Sequence, residues 1–183
     1  MKNRLLPLPE NLSGADVIVL GIDPAIRTTG YGVIRVEGTH IEILDCGTIV
    51  NSQKLPHSEC VRRIYGGIAE LIAAYHPDAA AVESPFAGRN ASTAIILGMA
   101  RGALLTALSN AGVAAFSYTP SAGKQAATGR GSATKEQVAV MLASELGISI
   151  EQIPLDSTDA LALAICHAQR AMHPEYGKLG NPL

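Results

Sequence analysis

Four acidic residues stand where acids are costly. Asp23 closes the apolar run DVIVLGI, and Glu83 closes the short run AAAV. Asp156 and Asp159 lie three apart in LDSTDALALAI, at the head of an apolar helix. A carboxylate at the end of a buried strand loses solvation, which is unfavourable without a compensating charge. Four such groups drawn together would also repel one another and raise some of their pKa values. One or two hard divalent cations held by oxygen ligands remove both penalties, and such ions commonly serve phosphate chemistry.

The elements that position these acids follow from periodicity. Residues 16–22 are too short and too uniformly apolar for a buried helix, and read as a central strand. A turn over Pro24 to Thr29 leads to a second strand, Gly30 to Val36. A third covers Ile41, Ile43 and Gly47 to Val50, antiparallel to the second. Val61, Ile64, Tyr65, Ile68, Leu71 and Ile72 recur at helical intervals within Ser58 to Tyr75. Ala79 to Glu83 is a fourth strand, and Asn90 caps a helix to about Asn110. Val113 to Tyr118 is a fifth strand. Helices open at Pro120 and Ala133, separated by the loop Thr128-Gly129-Arg130-Gly131, and a last helix runs from Asp156 to about Met172.

The expected fold class is therefore α/β, a mixed five-stranded sheet with helices on both faces. Residues 1–15 read as a flexible extension, 16–173 as one domain, and 174–183 as a frayed tail. If the first and fourth strands are parallel neighbours, Asp23 and Glu83 share one sheet edge. Asp156 and Asp159, at i and i+3, share one helix face. Each acid alone also fits a structural role: Asp23 before Pro24 as a turn residue, Asp156 as a helix cap, Glu83 as a solvated strand end. Their joint placement favours chemistry.

Composition narrows the classes further. The chain of 183 residues is 48% hydrophobic and 16% charged, with no Trp, so it can bury a core of small aliphatic side chains and is not disordered. Its net charge of −2 requires any nucleic acid to meet a compact basic face, with binding that weakens steeply in salt. Cys46, Cys60 and Cys166 lack CxxC spacing, and the five His residues lack zinc-ligand spacing. Reduced thiols and a cytoplasmic location follow. MKNRLLPLPE is not a signal peptide, and no apolar run approaches the ~20 residues that span a membrane, so no membrane partner is expected.

Four ordered blocks, GIDPAIRTTGYGVI, ESPFAGRNASTAIILGMARG, KQAATGRGSATKEQV and DSTDALALAICHA, resemble the RuvC family of bacterial Holliday junction endonucleases in the RNase H-like superfamily. The resemblance spans about Val17 to His173. It implies that Asp23, Glu83, Asp156 and Asp159 are the catalytic acids and hold two Mg²⁺ ions, with Mn²⁺ as a substitute. Water would be activated for in-line attack on the scissile phosphate, leaving 5′-phosphate and 3′-hydroxyl ends. The implied substrate is a four-way DNA junction, cut by paired symmetric nicks at a short thymine-containing sequence in recombination and repair. A homodimer and the RuvA and RuvB branch-migration proteins are the implied partners. The family reads Asp-Pro-Gly at the first acid, whereas Ala25 follows Pro24 here; a positive φ at that position would cost Ala roughly 1 kcal/mol.

The same resemblance, with local chemistry, points to groups that meet DNA. Lys124 and Lys135 flank a glycine loop, and Arg130 sits between Gly129 and Gly131. Lys135 at the start of a helix opposes the helix dipole unless an anion is near. Phe86 reads either as a core side chain or, as the family implies, as an aromatic that wedges against or stacks on an unpaired base, with Arg89 and Asn90 near enough in sequence to contact the backbone beside it. Ala94, Gly98 and Gly102 recur every four residues, a row that permits either tight packing on the sheet or, as the family implies, a dimer seam.

Overall fold

The computed structural model describes residues 16–85, 91–173 and 176–183. Three strands lead the chain as an antiparallel meander: β1 (Val17–Asp23), β2 (Thr28–Glu37) and β3 (His40–Val50). Helix α1 (His57–Tyr75) carries the chain to β4 (Ala79–Glu83), which pairs parallel to β1. Helix α2 (Ala91–Asn110) leads to β5 (Ala114–Tyr118), parallel to β4. Helices α3 (Pro120–Thr128) and α4 (Lys135–Leu146) follow, then two 3₁₀ turns and α5 (Thr158–Met172).

The alternation of side chains along each strand divides the core in two. Val17 and Val19 of β1, Ala81 of β4 and Tyr118 of β5 face α3, α4 and α5. Leu20, Ile22, Ala80, Val82 and Ala115 face α1 and α2. The expected helices on both faces are therefore present. The sheet, however, has six strands and not five, in the order β3-β2-β1-β4-β5-β6. The sixth is the two-residue β6 (Asn181–Pro182), antiparallel to β5.

The expectation of a frayed tail fails at this edge. Outer β5 leaves backbone groups unpaired, and a short returning segment satisfies them. Leu183 N donates to Ala115 O at 3.0 Å, while Arg170 reaches across to donate to Lys178 O at 3.0 Å. Under this edge, Tyr118 Oη and Nδ1 of the buried His167 are 2.8 Å apart, so the buried imidazole has a polar partner. Burial holds the pKa of His167 down to about 4, and it stays neutral within the core.

Helix ends carry their own signals. Thr119 caps α3 and Thr134 caps α4, the latter with Gln137 in a reciprocal capping box. Gly129 and Gly147 close the two helices in the left-handed conformation. Among described residues the only non-glycine with positive φ is His76, so Ala25 carries no left-handed strain and the cost attached to it does not arise.

Helix α5 and the turn before it approach the first hairpin closely. Gly21 and Gly32 are register partners on β1 and β2, and Gly30 is opposite Asp23. A Cβ at Gly21 would collide with the Ala160 carbonyl oxygen, and one at Gly32 would lie 3.1 Å from Leu161 Cα. One at Gly30 would collide with the Asp156 carbonyl oxygen. These glycines let the helix backbone rest directly on the strands. Gly21→Ala is expected to destabilise the protein by about 1–3 kcal/mol, since the obstructing atom is backbone. Gly66→Ala on α1, where a Cβ meets open space, is expected to stabilise it by about 0.5–1 kcal/mol. Urea denaturation of both variants checks the pair.

Candidate active site

Register and period place the acids. Asp23 shares a side of β1 with Val19 and Gly21, and Glu83 shares a side of β4 with Ala81, so both point to the α5 face. The strands are parallel neighbours, which puts both carboxylates at one sheet edge. Asp156 lies in a 3₁₀ turn (Leu155–Ser157) and not in the final helix; Asp159 is in the first turn of α5. They still face one way, because a 3₁₀ turn brings i and i+3 into line. The packing of Gly30 beneath Asp156 carries this turn over β2, where the site of a Cβ on Gly30 is 3.7 Å from Asp23 Cβ.

The turn after Asp23 is tied down from two sides. Asn51 Nδ2 donates to Ile26 O at 2.9 Å, and Thr29 Oγ1 donates to Ala25 O at 2.7 Å. Arg27 Nη1 donates to Ser52 O at 2.6 Å and Leu55 O at 3.0 Å. The loop that presents the first acid is thus fixed to the end of β3 and the approach to α1.

Two lysines enter from the other side. Lys135 Nζ is 3.4 Å from Asp156 Oδ1 and 3.6 Å from Asp159 Oδ2. Lys124 Nζ is 3.9 Å from Asp159 Oδ1, too far for a hydrogen bond, and this buried oxygen has no hydrogen-bond partner. Asp159 is the deepest of this group, with its side chain 11% exposed against 64% for Asp156. The dipole penalty on Lys135 at the start of α4 is therefore offset by carboxylates of the protein itself.

Electrostatics show a net excess of negative charge. Burial, then repulsion from Asp23 and Asp159, pushes Glu83 up to about 7. Burial and the charges of Asp159 and Asp156 raise Asp23 as well, although the lysines pull it back. Burial opposes the charge on Lys135, but Asp159, Asp156 and Asp23 outweigh it and raise its pKa. Among the described residues no three His, Cys, Asp or Glu side chains meet at one metal-sized point. The donor set nonetheless suits a hard cation: every donor is a carboxylate oxygen, one is buried without a hydrogen bond, and two acids are held above their ordinary pKa by burial and mutual repulsion.

Other residues named from the sequence fall as follows. Arg130 is exposed in the loop between α3 and α4, on the chain segment joining Lys124 to Lys135. Phe86, Arg89 and Asn90 lie outside the described residues. Ala94, Gly98 and Gly102 are exposed along α2, and a Cβ on either glycine meets nothing within 4 Å. Sequence reasoning missed the glycine floor of Gly21, Gly30 and Gly32, and the clasp of Arg27 and Asn51. Glycines inside strands were the available signal for the floor.

A mixed sheet opened by an antiparallel meander, with acids at the carboxyl edge of two parallel strands, belongs to the RNase H-like class. The profile of the crossover junction endodeoxyribonuclease RuvC matches residues 19–167. A relative of that description from Chloroflexus aurantiacus is 41% identical over 152 residues, covering 83% of this chain and 93% of the relative. One from Chlorobium phaeovibrioides is 44% identical over 155 residues, covering 84% and 82%. The solved structure of T. thermophilus RuvC in complex with Holliday junction substrate superposes with a TM-score of 0.81 at 37% identity, covering 91% of this chain and 99% of that one. The yeast mitochondrial Holliday junction resolvase Ydc2 shares the fold alone, at a TM-score of 0.61 and 14% identity. The chain belongs to the RuvC family of crossover junction endodeoxyribonucleases.

The charge excess makes a pH-dependent prediction. With a folded pKa of about 7 against an ordinary 4.5, Glu83 favours the folded state when protonated, and that contribution is lost as pH rises from 4.5 through 7. A divalent cation reverses the trend by stabilising the ionised form. Mg²⁺ is therefore expected to raise the melting temperature more at about pH 8 than at about pH 6. Carbon-13 NMR of the Glu83 carboxyl should show a midpoint near 7 that falls on adding Mg²⁺; a metal-free midpoint near 4.5 would contradict this.

Proposed function

We propose that the protein is a homodimeric, Mg²⁺-dependent endonuclease that resolves four-way DNA junctions by paired symmetric nicks. The carrying observation is the convergence of Asp23, Glu83 and Asp159 at one sheet edge with a charge excess that two lysines leave incompletely offset. Asp23, Glu83, Asp156 and Asp159 would hold two Mg²⁺ ions, or Mn²⁺ in their place. When bound, the ions supply activation of water and stabilisation of charge on the scissile phosphate. Lys124 and Lys135 would hold phosphate oxygens beside the acids, and Arg130, exposed in the loop between α3 and α4, would add a further phosphate contact. Phe86, Arg89 and Asn90 would meet the crossover itself. Products with 5′-phosphate and 3′-hydroxyl ends suit a role in recombination and repair, in concert with RuvA and RuvB in the cytoplasm.

The dimer reading rests on α2. By length and composition alone this helix is apolar enough to cross a membrane, a test that the core helix of a globular protein also passes, and Ser, Thr, Gly and Arg101 interrupt its apolar run. Its buried side, Ala100, Ala103, Leu104, Ala107 and Leu108, packs in the core. Its other side exposes Ala94, Ile95, Gly98 and Gly102, with Ile95 66% exposed. A row of small residues beside an exposed Ile fits a twofold helix contact, which presents two sites to the two symmetric strands of a junction.

Two experiments test this. Cleavage of a labelled four-way junction and a matched linear duplex, with Mg²⁺ or EDTA, should give paired nicks in the junction alone. Asp23→Asn should slow them by at least about 100-fold. Junction binding without nicks, under Mg²⁺ or Mn²⁺, would make it a binding protein on a nuclease fold. Gly98→Leu should shift sedimentation toward monomer while leaving the protomer folded, since a side chain there meets no atom of its own chain. An unchanged dimer would refute the α2 seam.

A further inference from the structure

The last residue of β4 is held by a side chain from outside the acid cluster. Arg101 stands midway along α2, on the face of the sheet opposite α5. Its Nη1 donates to the backbone carbonyl of Glu83. Its Nη2 donates to Ser117 Oγ at 3.2 Å. Ser117 Oγ and Ser84 Oγ are 2.9 Å apart, and Ser84 N donates to Tyr118 O at 2.7 Å. One guanidinium fork thus clasps the carboxyl ends of β4 and β5 at the residue that carries an acid.

Arg101 is the single charged residue in the twenty of α2. Burying part of a guanidinium in an apolar helix is unfavourable without specific partners, and burial lowers its pKa while the Glu83 charge raises it. Among the described residues its hydrogen-bond partners are main chain and hydroxyl. The direction of a strand side chain follows the plane of its own peptide groups. Fixing the Glu83 carbonyl therefore fixes the direction of its Cα–Cβ bond, the base from which the carboxylate extends.

We propose that Arg101 is a positioning residue, which fixes the strand end from which the Glu83 side chain departs by clasping its main chain from α2. This rests on the reading of Glu83 as a metal-holding acid. A loosened strand end would leave the fold and DNA surface intact but misplace one ligand, and displacements of about 1 Å cost about 100-fold in rate.

The test uses the full-length protein with Arg101→Met, Arg101→Lys and Glu83→Gln. Mn²⁺ affinity without DNA is read by calorimetry, single-turnover cleavage at saturating protein, and junction affinity in EDTA. Arg101→Met is expected to weaken Mn²⁺ binding by about 10-fold and cleavage by about 10- to 100-fold, with junction affinity within about two-fold. Arg101→Lys should recover part of both losses, since an ammonium can hold the carbonyl but not both acceptors. Mn²⁺ binding and cleavage within about two-fold of the unsubstituted protein, or an equal loss of Mn²⁺, cleavage and junction binding, would overturn the assignment. Should Arg101→Met fail to fold, Ser117→Ala removes one of its two acceptors, with Ser84→Ala as the control for the hydroxyl pair that is lost too. About three-fold weaker Mn²⁺ binding in Ser117→Ala but not in Ser84→Ala supports the clasp, and any other pattern refutes it. If Glu83→Gln keeps Mn²⁺ affinity and cleavage, the reading of Glu83 itself fails. If it abolishes both while Arg101→Met spares them, only the Arg101 assignment fails.

Discussion

The direct seating of α5 on the first hairpin is the constraint on which the site depends. Ordinary side chains would hold the helix backbone off the sheet by the usual layer spacing. Gly21, Gly30 and Gly32 remove that spacer at two register pairs on one side of the hairpin, Gly21–Gly32 and Asp23–Gly30. The 3₁₀ turn and first turn of α5 then descend onto the strand end that carries Asp23. Acids separated by more than 130 positions in the chain become neighbours without any loop reaching between them.

That proximity creates the electrostatic character of the site. Three sources supply carboxylates, β1, β4 and the start of α5 with the turn before it, and helices α3 and α4 supply the lysines. The lysines satisfy Asp156 and part of Asp159 but leave Glu83 and Asp23 above their ordinary pKa values. Under the proposed function, a site so biased would take up cations that relieve its charge excess. Under the same proposal the lysines would face two partners in turn, carboxylates first and the phosphates of a substrate after.

Helix α2 carries two functions on two sides. Its buried side closes the core against α1 and β5, and Arg101 reaches from it to the end of β4. Its exposed side is the apolar row proposed as the dimer seam. The same element would thus fix one acid within a protomer and set the distance between the acids of two protomers. This accounts for a helix apolar around most of its circumference yet holding a single Arg at its centre.

Much of this was legible in the chain itself. Apolar runs of strand length fixed the meander and the parallel pair, since period and length distinguish a short buried strand from a helix. The four acids stood out because their positions, at strand ends and a helix start, are costly for carboxylates. Local rules did not reach the rest. Whether Ala25 is strained depends on a φ that only the turn's anchoring by Asn51 and Arg27 decides, and it is relaxed. The tail joins β5 because an open sheet edge is present there, a fact no property of residues 176–183 announces. Arg101 shows as a lone charge in an apolar helix, but its partner is a backbone carbonyl, which has no sequence signature. Residue type and spacing determined which groups could do chemistry; contacts between distant backbones decided how those groups are aimed.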